Sequence, residues 1–258
     1  MGISYDITDG IAEVIMDNPP VNALRVAGWF ELAEILRKLG DDPDVRAVIL
    51  AAEGKGFNAG VDIKEMQQTE GFDALLGANR GCWEAFKAVY ECKVPVICAV
   101  NGVAAGAGAN IALACDIVIA AKSAKFIQAF SKIALIPDAG GTYWLTRLVG
   151  EARAKALALT AHPLSAEDAA QWGLIWRAVP DEELMAEAEK LAAGFAAGPT
   201  AAYALTKEVI HAASTNSLDE QLDLERRMQR QAGMSDDYKE GVAAFLQKRP
   251  ADYRKAKR

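Results

Sequence analysis

The chain has 258 residues, 52% of them hydrophobic and 24% charged, which is enough apolar material to bury one substantial core. Its 28 basic against 35 acidic residues leave a net charge of −7, which argues against the broad basic surface that general nucleic-acid binding needs. No apolar run approaches the ~20 residues of a membrane-spanning helix, and the opening MGISYDITDG has no basic flank before an apolar stretch, so the expected location is the cytoplasm.

In chain order, apolar runs over 11–16, 47–52, 94–100 and 117–120 read as strands, separated by longer stretches with helical spacing. That alternation predicts an α/β core. Between the second and third runs, Phe72, Leu75, Leu76, Trp83, Phe86 and Val89 fall on helical spacings, and Pro95 marks the return to extended chain. A helix is expected to lie over the core there. From Ser165 onward the pattern changes: Ser165-Ala-Glu-Asp can cap one helix, Ser217-Leu-Asp-Glu has the capping-box spacing for another, and 181–195 and 201–213 are alanine-rich and free of proline. The organisation expected is a layered core over 1–195 followed by a helical extension over 196–258.

Few residues outside that pattern suggest chemistry. Cys82, Cys92, Cys98 and Cys115 contain no C-x-x-C pair and are expected to be reduced core thiols. His162 and His211 lie in the helical third without a carboxylate cluster, so no metal site is expected. The tail KRPADYRKAKR (248–258) is the one sharp block of charge, either a solvated end or a contact for a phosphate.

Two glycine-containing segments carry more. Gly56-Phe57-Asn58-Ala59-Gly60-Val61-Asp62-Ile63-Lys64-Glu65 follows an expected strand and opens into a helix-forming stretch, a junction whose backbone N–H groups can point at an anion. Asn101-Gly102-Val103-Ala104-Ala105-Gly106-Ala107-Gly108 repeats the arrangement after the 94–100 strand. Two N–H groups from separate turns, converging on one oxygen, would form an oxyanion hole. Neither segment has P-loop or dinucleotide-binding spacing.

Together with Asn18-Pro-Pro-Val-Asn-Ala-Leu24, Pro137-Asp-Ala-Gly-Gly-Thr142 and Glu240-Gly-Val-Ala-Ala-Phe-Leu-Gln-Lys-Arg-Pro250, these segments resemble the crotonase superfamily of enoyl-CoA hydratases and isomerases over essentially the whole chain. The resemblance implies a spiral of repeated ββα units with a C-terminal helical trimerisation region, and assembly into homotrimers or homohexamers. It implies an acyl-CoA thioester as substrate, no cofactor beyond the substrate's own coenzyme A, and no nucleic-acid or membrane partner. The oxyanion N–H groups would be those of Val61 and Ala107. Asn22, Ala23 and Leu24, with Asn58, Ala59, Gly60, Asp62 and Ile63, would hold the adenine and pantetheine, and Lys64 would lie near the phosphates. Gly106, Phe130 and Pro137 would line the acyl site.

Hydratases of the family place glutamates where this chain has Asn110 and Phe130, so the two-glutamate hydration route is expected to be lost. Asp138 stands where isomerases and a dehalogenase of the family carry a catalytic aspartate. By residue type alone it is either a cap for a helix beginning near Gly141 or an acid/base, its pKa raised by an apolar wall of Phe130 and Ile136. The stretch Phe126–Thr142, with 173–177 and 222–226, resembles the family's ring-epoxide isomerases of phenylacetyl-CoA breakdown. Residues 57–100, including Asn79-Arg-Gly-Cys-Trp83, look more like its steroid-ring hydrolases.

Overall fold

In the computed structural model, residues 2–68 and 72–253 are described. Strands β1 (Gly2–Thr8) and β2 (Ile11–Asp17) form an antiparallel hairpin, in which β2 buries every second residue, Ala12, Val14 and Met16. Helix α1 (Val26–Asp41) leads to β3 (Ala47–Ala52), β4 (Gly56–Asn58), α2 (Ile63–Gln68) and α3 (Phe72–Tyr90). Phe72, Leu75 and Leu76, which the sequence puts on the buried stripe of α3, have side chains outside the described set, whereas Cys82, Phe86 and Val89 are buried. Trp83 points outward and is 56% exposed, so the stripe is narrower than its spacing suggests.

The unit then repeats. β5 (Val96–Val100), β6 (Val103–Ala105) and α4 (Ala107–Ala114) are followed by β7 (Ile117–Ala121), β8 (Lys125–Ile127), a 3-10 turn over Ala129–Ile133 and α5 (Gly141–Thr160). In each unit the first strand joins one sheet and the short second strand joins another. The large sheet has the order β1-β2-β3-β5-β7 and is completed by β10 (Arg177–Val179); every pairing after the hairpin is parallel. β3 (AVILAA) and β5 (VICAV) are apolar throughout because both faces of a parallel sheet are covered. The small sheet runs β4-β6-β8 in parallel and is closed antiparallel by β9 (Leu164–Ser165).

α6 (Ala166–Gln171) starts at Ser165, whose side chain accepts the Asp168 N–H. α7 (Leu184–Ala197) packs on β3 and β5 and runs across residue 195 to its C-cap at Gly198, and α8 (Thr200–Ala213) follows. α9 (Leu218–Gly233) carries the complete Ser217/Glu220 capping box, and α10 (Asp236–Gln247) follows. Lys207 of α8 reaches back to Asp116 at 2.7 Å and to the Val94 carbonyl. Arg46 donates to the Ala196 and Gly198 carbonyls. Beyond these ties the extension leaves Ile210, Met234, Phe245 (84%) and Leu246 exposed. Of the basic tail, Arg249 pairs with Glu240, and residues 254–258 lie outside the described set. The four cysteines are free and buried.

Candidate active site

The topology brings the two glycine segments together. β4 and β6 are parallel neighbours, so the turns that leave their C-terminal ends lie side by side at one end of the small sheet. Gly60 sits at φ +89°, and a Cβ there would stand 3.1 Å from the Ala105 oxygen and 3.3 Å from the Ala107 nitrogen. The first turn therefore touches the second. Gly108 permits the same approach from the other side, since a Cβ on it would fall 2.0 Å from the Asn58 carbonyl oxygen.

Buried amides hold the first turn. Asn58 Oδ1 accepts the Gly60 N–H at 2.7 Å, and its Nδ2 donates to the Asn22 carbonyl at 2.7 Å. Asn22, left-handed at φ +54°, donates from its own Nδ2 to the Glu53 and Gly56 carbonyls. Both side chains are consumed by the scaffold, so any contribution of theirs to a ligand comes through the backbone. Leu24 bridges Val61: its N–H donates to the Gly60 carbonyl and its carbonyl accepts the Asp62 N–H, both at 2.9 Å. Because successive N–H groups of an extended segment point to opposite edges, the Val61 N–H faces away from Leu24. Ala107, first residue of α4, has an N–H that no intrahelical carbonyl can satisfy. Val61 and Ala107 line one cavity of about 290 Å³, whose walls include Ala59, Gly60, Gly106 and Phe130.

Asp138 lines the same cavity. It lies in a loop whose next two residues are left-handed, Ala139 at φ +49° and Gly140 at φ +72°. Its carbonyl accepts the Gly141 N–H at 2.8 Å and Asn110 Nδ2 at 2.9 Å. The N-cap of α5 is Gly140, and no side chain caps that helix, so the carboxyl is not a cap. Among the described residues Oδ1 of Asp138 is buried and without a hydrogen-bond partner. Burial raises its pKa above the usual carboxylate value, opposed only by a backbone hydrogen bond. Burial, and next the Asp138 charge, push the nearby Cys82 thiol up as well.

The expected apolar wall is half right. Phe130 is buried and would meet a Cβ on Gly106 at 3.7 Å, but Ile136 is 80% exposed and does not line the cavity, because the loop turns its side chain outward before Asp138. Leu135 and Ile133 take its place. Pro137 is half-buried beside Asp138. Ala23 offers its carbonyl to Asn18 Nδ2. Asp62 Oδ1 accepts the Lys64 N–H at 2.9 Å and so caps α2, while Ile63 lines the cavity and Lys64 is exposed. Asn110 is wholly buried behind the wall, its amide spent on Asp138 and on Gln128. Sequence reasoning did not name Gln128, Met66 or Asn79, nor Lys132, Ile133 and Leu135 on the cavity wall. All lay inside stretches already singled out, 57–100 and 126–142, but neither spacing nor residue type marked them as part of the site. His211 stacks on Tyr90 with ring centroids 3.7 Å apart, and burial, then Lys207, lower its pKa. Among the described residues no three His, Cys, Asp or Glu side chains gather where a metal ion would be held. No helix there is long and apolar enough to cross a membrane.

The profile of the enoyl-CoA hydratase/isomerase family matches residues 6–256. The chain is 46% identical to a "Probable enoyl-CoA hydratase" of Rhodobacter capsulatus, covering 97% of each. It is 45% identical to the 1,2-epoxyphenylacetyl-CoA isomerase of Escherichia coli K12, covering 96% of each. The crystal structure of an enoyl-CoA hydratase from Bacillus anthracis superposes with a TM-score of 0.94 at 34% identity, over 98% of this chain and 99% of that one. The chain belongs to the enoyl-CoA hydratase/isomerase family and has its α/β crotonase fold.

Proposed function

We propose that the protein is an acyl-CoA isomerase that moves a proton, and with it a double bond, next to the thioester. The observation that carries this reading is the Asp138 carboxyl, buried and unpartnered at Oδ1 in the cavity that Val61 and Ala107 line. With a 3-enoyl thioester, Asp138 removes a proton from C2 and the electron pair passes into the carbonyl. The Val61 and Ala107 N–H groups hold the resulting enolate oxygen, and Asp138 returns the proton at C4 as the double bond shifts. Each oxyanion donor contributes ~3 kcal/mol to the transition state, and a positioned acid/base roughly a hundred- to ten-thousandfold in rate. The raised pKa suits a group that must both accept and return a proton.

Coenzyme A enters as part of the substrate, along the backbone of 22–24 and 58–63, with Lys64 near its phosphates, and no separate cofactor takes part. The acyl group belongs to aromatic or fatty acyl-CoA catabolism in the cytoplasm. The exposed apolar faces of α8 to α10 are covered by further copies in a trimer or hexamer. Hydration is slow, since Asn110 is turned to Asp138 and Phe130 has no titratable group. The test compares 3-enoyl-CoA isomerisation with crotonyl-CoA hydration by the same preparation. Isomerisation should exceed hydration by at least a hundredfold; hydration within tenfold of isomerisation would make the protein a hydratase.

A further inference from the structure

Behind the cavity wall two amides form a chain that ends on the Asp138 backbone. Gln128 Nε2 donates to Asn110 Oδ1 at 2.8 Å, and Asn110 Nδ2 donates to the Asp138 carbonyl at 2.9 Å. The direction of the chain is forced. A carbonyl can only accept, so Asn110 must turn its NH₂ to Asp138 and its oxygen to Gln128, which must answer with its own NH₂. Asn110 is fully buried and Gln128 is 4% exposed, so neither amide has solvent as a substitute partner.

Both amides of the chain are anchored to the turn that carries Ala107. Gln128 directly follows β8, whose Ile127 pairs with Ala105 and accepts the Gly106 N–H at 2.9 Å. Asn110 lies in the first turn of α4, one turn from Ala107, and its N–H returns to the Gly106 carbonyl at 3.1 Å. The Asp138 loop, by contrast, carries two consecutive left-handed residues and is approached through a segment in which Ile133 and Ile136 are exposed. Gly141 makes room for the link, because a Cβ there would stand 2.3 Å from Asn110 Nδ2.

We propose that Asn110 and Gln128 are positioning residues, whose paired amides clamp the Asp138 loop to the strand end that carries the Ala107 N–H and so set where the carboxyl meets the enolate. The position that holds a glutamate in the family's hydratases is used here as a donor to the acid/base. A carboxylate at 110 would present an acceptor to the Asp138 carbonyl and break the clamp. This inference rests on Asp138 being the acid/base, so Asp138→Asn is assayed in parallel.

The test uses the full-length protein and 3-enoyl-CoA isomerisation with three substitutions. Gln128→Leu removes the donor and should lower kcat at least tenfold, with KM within about twofold. Gly141→Ala leaves every amide in the chain intact but drives a methyl onto Asn110 Nδ2, and should lower kcat in the same way. Gln128→Glu supplies a conditional donor: the introduced acid can donate to Asn110 only while protonated. Its kcat should approach the parent's at acid pH and fall as pH rises, a descending limb that the parent profile lacks and that a merely structural role would not create. If Gln128→Leu and Gly141→Ala fold and keep more than half of the parent kcat, or the Gln128→Glu profile runs parallel to the parent's, the clamp is wrong. If Asp138→Asn itself stays active, the isomerase reading fails first.

Discussion

The two walls of the cavity are built on opposite plans. The wall that carries the proposed oxyanion donors is backbone, fixed by parallel strands, by the buried amides of Asn22 and Asn58 and by close backbone approaches at Gly60 and Gly108. The Asp138 wall is a loop with exposed residues on its approach, and its proposed chemistry rests on one side chain, Asp138. The difference separates stability from chemistry. Damage to the first wall should appear in folding as well as turnover, damage to the second in turnover alone.

Gly108→Ala should break the first wall most severely. Its methyl would fall 2.0 Å from a backbone oxygen that the β4 pairing holds in place, so α4 must move or the chain must fail to fold. The cost should exceed ~3 kcal/mol, roughly 10 °C in Tm, as read by thermal melting. A Tm within 2 °C of the parent would show that the contact yields.

Gly60→Ala sharpens the point when set beside Gly54→Ala. Both glycines are left-handed, at φ +89° and +81°, but only Gly60 has neighbours within contact distance of an added methyl. Each substitution should cost about 1–3 kcal/mol of backbone strain. Gly60→Ala should also lower isomerisation at least tenfold by pushing the Val61 and Ala107 turns apart, while Gly54→Ala keeps its rate. Equal rates for the two would separate the glycine contact from the oxyanion geometry.

Ser217→Ala tests a region remote from both walls. Loss of the capping box should lower Tm by roughly 2–4 °C and leave kcat and KM unchanged. An altered kcat would show that α9 communicates with the site.

The smallest expected shift is the Tm of Asp138→Asn, and its sign matters more than its size. Burial raises the folded-state pKa of Asp138 above its unfolded value, so the folded chain holds that proton more tightly. The associated stability is full below the unfolded pKa and is lost as pH rises through the folded pKa. At pH 7 the buried charge is a burden, and Asp138→Asn should melt at the parent temperature or slightly above it. The gain should vanish at acid pH, and a clear loss at pH 7 would make Asp138 structural.

Much of the first wall was legible because backbone sites leave their mark in residue size: glycine and alanine at 59–60 and 104–108 announce close approach before any coordinates exist. The buried strands β3 and β5 are equally plain, although the second begins at Val96 and not at 94. The three-residue strands β4, β6 and β8 were not, since so short a run carries no period, and with them went the pairing that joins the two turns. The second wall was read one residue at a time. Asp138 is visible in the sequence, but Ile136, two residues before it and expected on the apolar wall, is turned outward by the loop, and the Gln128 amide pairs across 18 residues of sequence with Asn110. Periodicity describes faces of regular elements. It says nothing about a loop.

The most direct test of the central claim is solvent-deuterium exchange at C2 of a 3-enoyl-CoA, followed by NMR or mass spectrometry in D₂O with parent and Asp138→Asn protein at equal occupancy. Asparagine keeps the size and one oxygen but cannot accept the proton. Exchange should fall at least a hundredfold in the variant while KM stays within about threefold, because the Val61 and Ala107 donors and the backbone at 22–24 and 58–63 are untouched. Exchange that persists at more than a tenth of the parent rate would mean that another group takes the proton, and that Asp138 is not the acid/base of this site.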